Sequence, residues 1–230
     1  MLQKIIVSNC ASENFFELLD KNSICYIKSL NNEKFNNNYN DHIDLSILKI
    51  DNDIYIENSV FEYYKDFLKD YNLIKVDVSD FKNGEMVLNV AKNDKYFFHN
   101  EKFTTKEIFE SLNLKREYIK INQGYSNCSM ICFKNHIITS DEGVFKSLKS
   151  KNINVELVTT TGIILNGYKN GFIGGTCGFV SDDTLLFYGD VTKYQDYDII
   201  KRVADEENVK ILFPKGEDFV DLGGIVSLWR

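Results

Sequence analysis

Residues whose types could do chemistry lie in four short segments that are far apart in the chain. The segments are Asp41-His42-Ile43-Asp44, Gln123-Gly124-Tyr125-Ser126-Asn127-Cys128, Gly171–Gly178 and Asp221-Leu222-Gly223-Gly224. Histidine moves protons near neutral pH, a cysteine thiolate is a nucleophile, and carboxylates bind cations. Together these residue types predict either a catalytic site or a site for a small cationic or amide-bearing ligand.

Each of these side chains also has an explanation that involves no ligand. His42 and Asp44 are equally compatible with the start of a strand, and a free cysteine is usually a small, inert core residue. The paired glycines at 174–175 and 223–224 fit a bulge or a bend, since neither pair lies in a phosphate-binding pattern. The residues alone leave both readings open.

Composition restricts the class of partner. The chain has 230 residues, of which 43% are hydrophobic and 27% charged, as in an ordinary globular domain. A net charge of -7 without a basic cluster disfavours nucleic acid and anionic membrane as partners, because both require neutralising Lys and Arg. Since the sequence has no long apolar run, we predict a cytoplasmic protein that binds a small molecule, and a homo-oligomer stays open.

The cysteines give no sign of a disulfide framework or of a metal site. Their number is odd and no two form a CxxC pair: Cys10, Cys25, Cys128, Cys132 and Cys177. Free thiols are therefore expected, and the sequence predicts neither a metal nor a cofactor.

An internal repeat predicts how the four segments are positioned. Five times, a polar residue ends a short β-rich run and precedes a helical pattern, at Asn9, Asn58, Asn100, Asp141 and Asp190. Successive markers are 49, 42, 41 and 49 residues apart, and the interval that wraps through both chain ends is again 49. A period that continues across the chain ends predicts units arranged in a closed ring.

Each marker follows a hairpin pattern and precedes a helix and a third strand. Tight polar turns such as 51–53 separate the two strands of each hairpin. Ser59 with Glu62, and Thr104 with Glu107, have the spacing of helix capping boxes. The predicted third strands cover residues 24–27, 73–78, 118–121, 155–158 and 209–213.

We therefore predict one α/β (α+β) domain over residues 1–230, a five-bladed pseudo-fivefold ββαβ propeller. The C-terminal segment Ile225–Trp229 supplies the missing first strand of the N-terminal unit and closes the ring. The predicted units span about 1–30 plus 221–230, 42–78, 85–122, 124–160 and 171–214. Two unrelated α/β domains with parallel sheets are the alternative, but they do not account for the closing intervals.

The repeat also predicts which polar residues meet. Asp44, Asn127 and Thr176 each lie 14 residues before a marker, and Cys128 and Cys177 each lie 13 before one. Equivalent positions in a ring surround its axis, so we expect these residues at the starts of first strands around one pocket. The predicted ligand-binding set is Gln123, Asn127, Cys128, Gly175, Thr176, Asp221 and Gly223.

A ring of such units with His42-Ile43-Asp44 opening the second resembles the pentein fold of guanidino-group-modifying enzymes. That group includes arginine and agmatine deiminases, dimethylarginine hydrolases and amidinotransferases. Three segments, 123–128, 137–143 and 171–175, are also similar to those of an uncharacterised family with this fold. The resemblance covers essentially the whole chain.

The resemblance implies a cysteine nucleophile, a histidine acid/base and carboxylates that hold a guanidinium group. His42 then corresponds to the histidine and Asp44 to a carboxylate, for a hydrolase or amidinotransferase acting on a guanidino or amidine C–N bond. The expected C-terminal cysteine is absent from residues 223–228, so Cys177 is the predicted nucleophile and the equivalent Cys128 the alternative. Because the fold also has non-catalytic members, a binding module for a protein partner or a regulatory ligand is the competing prediction.

Overall fold

The structure is a computed structural model and describes residues 4–228. Within this range the chain forms five three-stranded sheets and six α-helices. The strands are β1 (Lys4–Val7), β2 (Cys25–Lys28), β3 (Ile47–Ile50), β4 (Asp53–Glu57), β5 (Asn72–Val76), β6 (Ala91–Lys92), β7 (Tyr96–His99), β8 (Glu117–Lys120), β9 (Met130–Cys132), β10 (Ile137–Thr139), β11 (Val155–Leu157), β12 (Cys177–Ser181), β13 (Thr184–Phe187), β14 (Lys210–Leu212) and β15 (Val226–Ser227). The helices are α1 (Glu13–Lys21), α2 (Ile43–Ser46), α3 (Phe61–Tyr64), α4 (Lys106–Asn113), α5 (Glu142–Lys149) and α6 (Tyr197–Glu206). The predicted mixed α+β fold class is confirmed.

All five sheets share one strand order and one set of directions. In the order β3-β4-β5, the first strand is antiparallel to the middle strand and the third is parallel to it. The other four sheets, β15-β1-β2, β6-β7-β8, β9-β10-β11 and β12-β13-β14, have the same arrangement. A parallel neighbour requires a crossover connection, and a helix lies in each one, between the middle and third strands.

The two ends of the chain share a sheet. Strand β15 is antiparallel to β1, with Ile5 opposite Ser227 and Ile6 opposite Val226. The amide of Leu228 also donates to the carbonyl of Lys4 at 2.8 Å. The predicted C-terminal strand therefore pairs where the sequence places it, although Trp229 lies outside the described residues.

Neighbouring sheets contact each other through their first strands or the turns that lead into them. Strand β15 contacts both β12 and β3, and β6 contacts β9. Helix α2 contacts the 3₁₀ turn Gly84–Met86, and β9 contacts the 3₁₀ turn Gly174–Thr176. Each of the five sheets thus contacts two others.

Apolar residues at helical spacing attach the helices to their sheets. In α1 the buried residues are Phe15 and Leu19, and in α5 they are Val144 and Leu148. Four-residue spacing places each pair on one face, and full burial of such a side chain contributes about 1.5–3 kcal/mol. The longest described helix, α6, has 10 residues, and no helix within residues 4–228 is long and apolar enough to cross a membrane.

Both predicted capping boxes are wrong. Helix α4 is capped by Thr105, whose hydroxyl accepts from the amide of Ile108 at 3.2 Å, while Thr104 bonds a main-chain carbonyl. Among the described residues helix α3 has no side-chain cap, since its N-cap is Val60, and the hydroxyl of Ser59 donates to Glu57, two residues away, and to Oδ1 of Asn32 at 2.9 Å.

Candidate functional site

Short helical turns position the predicted polar residues. Asp44 lies in the single-turn helix α2, Thr176 in a 3₁₀ turn, and Asn127 in a turn closed by a 3.2 Å bond from the amide of Met130 to its carbonyl. The prediction that these residues begin the first strands is therefore wrong by up to three residues. A helical turn before each first strand directs side chains differently from an extended strand, and this decides which of them meet.

His42, Asp44 and Cys128 form the centre of the site and are called here the His42 cluster. One nitrogen, oxygen or sulfur atom from each lies within 4.8 Å of the others. The three residues are 3–4% exposed. Two segments that the sequence separates by more than 80 residues thus supply one buried group of an imidazole, a carboxyl and a thiol.

The Asp44 carboxylate is buried with an incomplete set of partners. Its Oδ2 accepts from Nδ2 of Asn127 at 2.9 Å and from Sγ of Cys128 at 3.0 Å. Its Oδ1 has no hydrogen-bond partner among residues 4–228. Burial raises the pKa of Asp44 to about 6, although the nearby His42 and the two donors act in the opposite direction.

Asn89 holds the Cys128 segment, and the sequence predictions missed it. Its Oδ1 accepts from the amides of Asn127 at 2.8 Å and Cys128 at 3.2 Å, and its Nδ2 donates to the Cys128 sulfur at 3.1 Å. Burial, followed by the charges of Asp44 and Asp221, raises the pKa of the Cys128 thiol well above its ordinary value. The sequence feature that could have identified Asn89 is its position as the one polar residue in the apolar run 87–91, because a buried amide must find hydrogen-bond partners.

A second layer supports Asn89. The hydroxyl of Ser126 donates to the Asn89 carbonyl at 2.7 Å and lies 3.0 Å from Nδ1 of His99. Burial lowers the pKa of His99 to about 4, so this ring is neutral at physiological pH. These contacts hold the main chain at Asn89, the residue whose side chain donates to the Cys128 sulfur.

Asp221 and its glycine loop pack against His42. The carboxylate of Asp221 accepts from the amides of Phe172 at 2.8 Å and Gly223 at 3.1 Å. A Cβ on Gly175 would overlap this carboxylate, and one on Gly223, whose φ is +75°, would overlap the His42 side chain. Burial raises the pKa of Asp221, and the nearby His42 opposes that shift. Two buried carboxyl groups therefore flank one histidine.

Other predicted residues lie outside this group. The hydroxyl of Thr176 donates to the carbonyl of Ile173 at 2.6 Å, and Sγ of Cys177 points to the same carbonyl at 3.8 Å. Cys177 packs within an apolar cluster, and burial raises the pKa of its thiol. Gln123 donates to Asp141, the N-cap of α5, at 2.7 Å. None of these contacts joins the His42 cluster, so Gln123 and Thr176 brace the turns around it.

Aromatic side chains lie beside the His42 cluster. The ring of Tyr39 is 6.1 Å from that of His42, and the ring of Tyr168 is 6.1 Å from that of Tyr39. Tyr168 is 49% exposed, so this pair of tyrosines extends from the cluster to solvent. Two surface pockets have volumes of ≈ 420 and ≈ 380 Å³, and neither includes the cluster. The first is lined by residues 20 and 23–26, and the second by residues 34–35, 78–79, 81–82 and 84–85.

The same fold occurs in enzymes that act on guanidino compounds. A dimethylarginine dimethylaminohydrolase from Pseudomonas aeruginosa complexed with citrulline has a TM-score of 0.56 and 8% identity over 93% of both chains. AgrE in a ternary complex with ornithine and NAD+ has a TM-score of 0.60 and 8% identity over 99% of this chain and 39% of its own. The agmatine deiminase of C. jejuni has a TM-score of 0.51 and 11% identity over 93% and 77%.

These similarities define the class: the chain has the pentein fold, as the sequence resemblance predicted. Residues 6–226 match the family of unknown function DUF6873, and the chain belongs to that family. No curated protein matches the sequence.

Proposed function

We propose that this protein is a closed five-unit pentein ring that binds a small cationic or amide-bearing molecule at the His42 cluster. The observation that carries the proposal is the pair of buried carboxyl groups, Asp44 and Asp221, beside a single histidine. A buried carboxylate is costly unless a cation or several donors compensate it, and within residues 4–228 Oδ1 of Asp44 has no hydrogen-bond donor. A guanidinium or ammonium group would supply the missing donors.

Contacts between sheets support the closed ring. Each sheet touches two others, and the pairing of β15 with β1 joins the two chain ends. In such a ring the turns at 43–46, 126–129 and 174–176 surround the axis, which places the His42 cluster there. The small ligands in the similar structures, citrulline and ornithine, support a small molecule as the ligand class.

Catalysis with Cys128 as nucleophile is the second candidate function. It is favoured by one observation, that the Cys128 thiol shares a cluster with His42 and Asp44, whereas Cys177 packs among apolar side chains. Attack of the thiolate on a guanidino or amidine carbon would form an S–C bond. His42 would take the thiol proton and transfer it to the amine that leaves as the C–N bond breaks, and water would then release the product and restore the thiol.

Ligand binding is tested by thermal unfolding in the presence of arginine, agmatine and methylated arginines. A compound that binds only the folded state raises the melting temperature, and at 100 times its Kd it contributes about 2.7 kcal/mol. We expect at least one compound to give a shift that Asp44→Asn and Asp221→Asn abolish. The exposed acid Asp183 offers the matched control, since Asp183→Asn should leave the shift intact. No shift with any compound, together with capture of a defined protein partner, would favour the binding module instead.

Alkylation followed by mass spectrometry tests which thiol is reactive. Cys10 and Cys25 are exposed and should react first, while Cys128 and Cys177 are buried and should react slowly. A bound cation stabilises a nearby thiolate, so a ligand that supports catalysis should accelerate labelling of Cys128 over Cys177. Faster labelling of Cys177, or turnover that persists in Cys128→Ser, would exclude Cys128 as the nucleophile.

A further inference from the structure

We propose that the His42 cluster is a Zn²⁺ site, with the imidazole of His42, the carboxylate of Asp44 and the thiolate of Cys128 as ligands. The inference uses the residues of the proposed function but does not depend on an organic ligand. Imidazole, thiolate and carboxylate are the three side-chain donors that zinc prefers. Within residues 4–228, these three residues are the group of His, Cys, Asp and Glu side chains whose donor atoms converge closely enough to hold a metal ion.

The spacing of the donor atoms matches a tetrahedral ion with little rearrangement. Zinc bonds of about 2.0–2.3 Å place the donor atoms of a tetrahedron about 3.3–3.8 Å apart. In the cluster Sγ of Cys128 lies 3.0 Å from the Asp44 carboxylate, at its Oδ2, and one donor atom from each of the three residues lies within 4.8 Å of the others. Shifts of about 1 Å in side-chain position therefore suffice to complete the coordination.

The orphaned oxygen of Asp44 is an independent observation that points to a ligand. Asp44 is 3% exposed, and its Oδ1 has no hydrogen-bond partner among the described residues. Native proteins rarely leave a buried carboxylate oxygen unpaired, and a bound ion is one of the standard explanations. Coordination of Zn²⁺ by Oδ1, while Oδ2 keeps its bond from Asn127, would satisfy this oxygen without adding a residue to the site.

Charge balance also favours a divalent ion. Zn²⁺ displaces the proton from Sγ of Cys128, a Zn–S bond forms, and the proton leaves to solvent. The thiolate and the Asp44 carboxylate then carry two negative charges against the two positive charges of the ion. The buried cluster becomes neutral overall, which removes the penalty for isolated charges at this depth.

Outer contacts already orient two of the three donors. Nδ2 of Asn89 donates to Sγ of Cys128, and Nδ2 of Asn127 donates to Oδ2 of Asp44. Amide groups that hold ligands in this manner are the usual second layer of a metal site. Asp221 is occupied by the amides of Phe172 and Gly223, so the fourth coordination position falls to water. Three protein ligands with one open position are typical of zinc sites that exchange or activate a fourth ligand.

Metal binding is measured best in a Cys10→Ser/Cys25→Ser background, because those two exposed thiols would otherwise bind zinc nonspecifically. A cation bound nonspecifically at Glu206 and Glu207, the surface acids that pair with the two different nitrogens of the His136 ring, would have no sulfur ligand. Co²⁺ distinguishes the two places, since only a sulfur ligand gives the intense near-ultraviolet thiolate-to-cobalt charge-transfer band. We expect one such site per chain, displaced by Zn²⁺ with release of a proton.

Cys128→Ser should abolish the charge-transfer band and weaken Zn²⁺ binding by at least about 100-fold, and Asp44→Asn should weaken it by at least about 10-fold. Cys177→Ser is the matched control, because it removes an equally buried thiol outside the cluster, and the band should persist. Circular dichroism checks that each variant is folded. If Cys128→Ser does not fold, alkylation of the parent protein tests the same ligand. Zn²⁺ should then protect Cys128 from the alkylating reagent.

Three results would overturn the zinc site: a Co²⁺ complex without the band, a band that survives Cys128→Ser, or a band that Cys177→Ser removes. The melting experiments with arginine-like compounds are carried out in chelator on metal-free protein. Failure of the zinc site and failure of the organic ligand are thereby separate outcomes.

Discussion

The Asp44 carboxyl group is deeply buried, and the residues that the structure describes form hydrogen bonds to only one of its oxygens. Its pKa of about 6 means that it accepts a proton more readily in the folded chain than in the unfolded chain, where the value is 3.8. A carboxyl group in this arrangement lowers the free energy of unfolding when it is ionised, and a bound cation offsets that loss. This arrangement supports the proposal that Asp44 binds a cation.

Replacing this residue should change how stability depends on pH. Because the folded pKa is raised, the stabilisation by Asp44 is complete below about pH 4 and is lost as the pH rises through about 6. The two-unit shift corresponds to about 3 kcal/mol. Urea unfolding at several pH values should therefore show that Asp44→Asn gains about 2–3 kcal/mol relative to the parent between pH 4 and pH 7. Parallel pH curves for the two proteins would contradict this assignment, and Asp183→Asn serves as the control.

The sequence does not distinguish the two thiols that were predicted as nucleophiles. Cys128 and Cys177 lie at the same distance from their markers, and nothing in the sequence separates them. In the structure Cys128 lies in a turn two residues before β9, whereas Cys177 is already extended as the first residue of β12, with φ −156° and ψ 177°. The different backbone direction sends one thiol to Asp44 and the other into an apolar cluster.

At the scale of elements, the turns before the first strands carry the site and the loop 221–224 completes it. The amide of Asp44 donates to the carbonyl of Gly223 at 3.3 Å, and the amide of Gly224 donates to the carbonyl of Gly175 at 2.9 Å. Such close backbone approach excludes side chains at the glycines. The loop therefore packs against His42, and Asp221 is the one residue of 221–224 with a polar side chain.

The substitution Gly223→Ala tests this packing. Gly223 has φ +75°, and an added Cβ would also overlap the His42 side chain, so we expect a loss of at least about 2 kcal/mol in the free energy of unfolding. Gly216 has φ +84° with nothing within 4 Å of its Cβ position, so Gly216→Ala should cost only about 1 kcal/mol. Urea denaturation of both variants measures the difference. Equal losses in the free energy of unfolding of the two variants would mean that the overlap with His42 does not destabilise Gly223→Ala.

At the scale of the whole molecule, the C-terminal strand connects three sheets. Strand β15 pairs with β1, and it also contacts β3 and β12. The buried side chain of Leu228 and the hydroxyl of Ser227, which donates to the carbonyl of Phe179, add to these contacts. Because the links cross the whole length of the chain, they stabilise the fold only when the last residues are present.

A truncation and a circular permutation together test this role. A chain ending at Gly224 loses β15 and should lose cooperative unfolding, as observed by near-ultraviolet circular dichroism against temperature. A permutant that joins the original ends with a short flexible linker and opens the exposed turn at Ser79 and Asp80 should fold, since the paired ends already lie together. Cooperative unfolding of the truncated chain, or failure of the permutant to fold, would contradict a closed arrangement.

The sequence by itself determined the strands, the turns and the shared topology of the five sheets. These features depend on short apolar runs, polar turns and helical spacing, which are local properties of the chain. It also placed His42, Asp44 and Asp221 among the residues of interest, because their types could do chemistry wherever the fold brought them together.

The repeat predicted that Asp44, Asn127 and Cys128 lie near one another, and the tertiary structure decided which of the predicted side chains make contact. The His42 cluster joins residues 42–44 to residue 128, held by residue 89, and no local spacing of the kind that signals a zinc motif relates them. Ser59 also has a long-range partner that its local pattern did not predict, since its hydroxyl lies 2.9 Å from Oδ1 of Asn32. Side-chain direction depends on whether a residue ends a helical turn or begins a strand, and a shift of one residue there changes the neighbour that its side chain contacts.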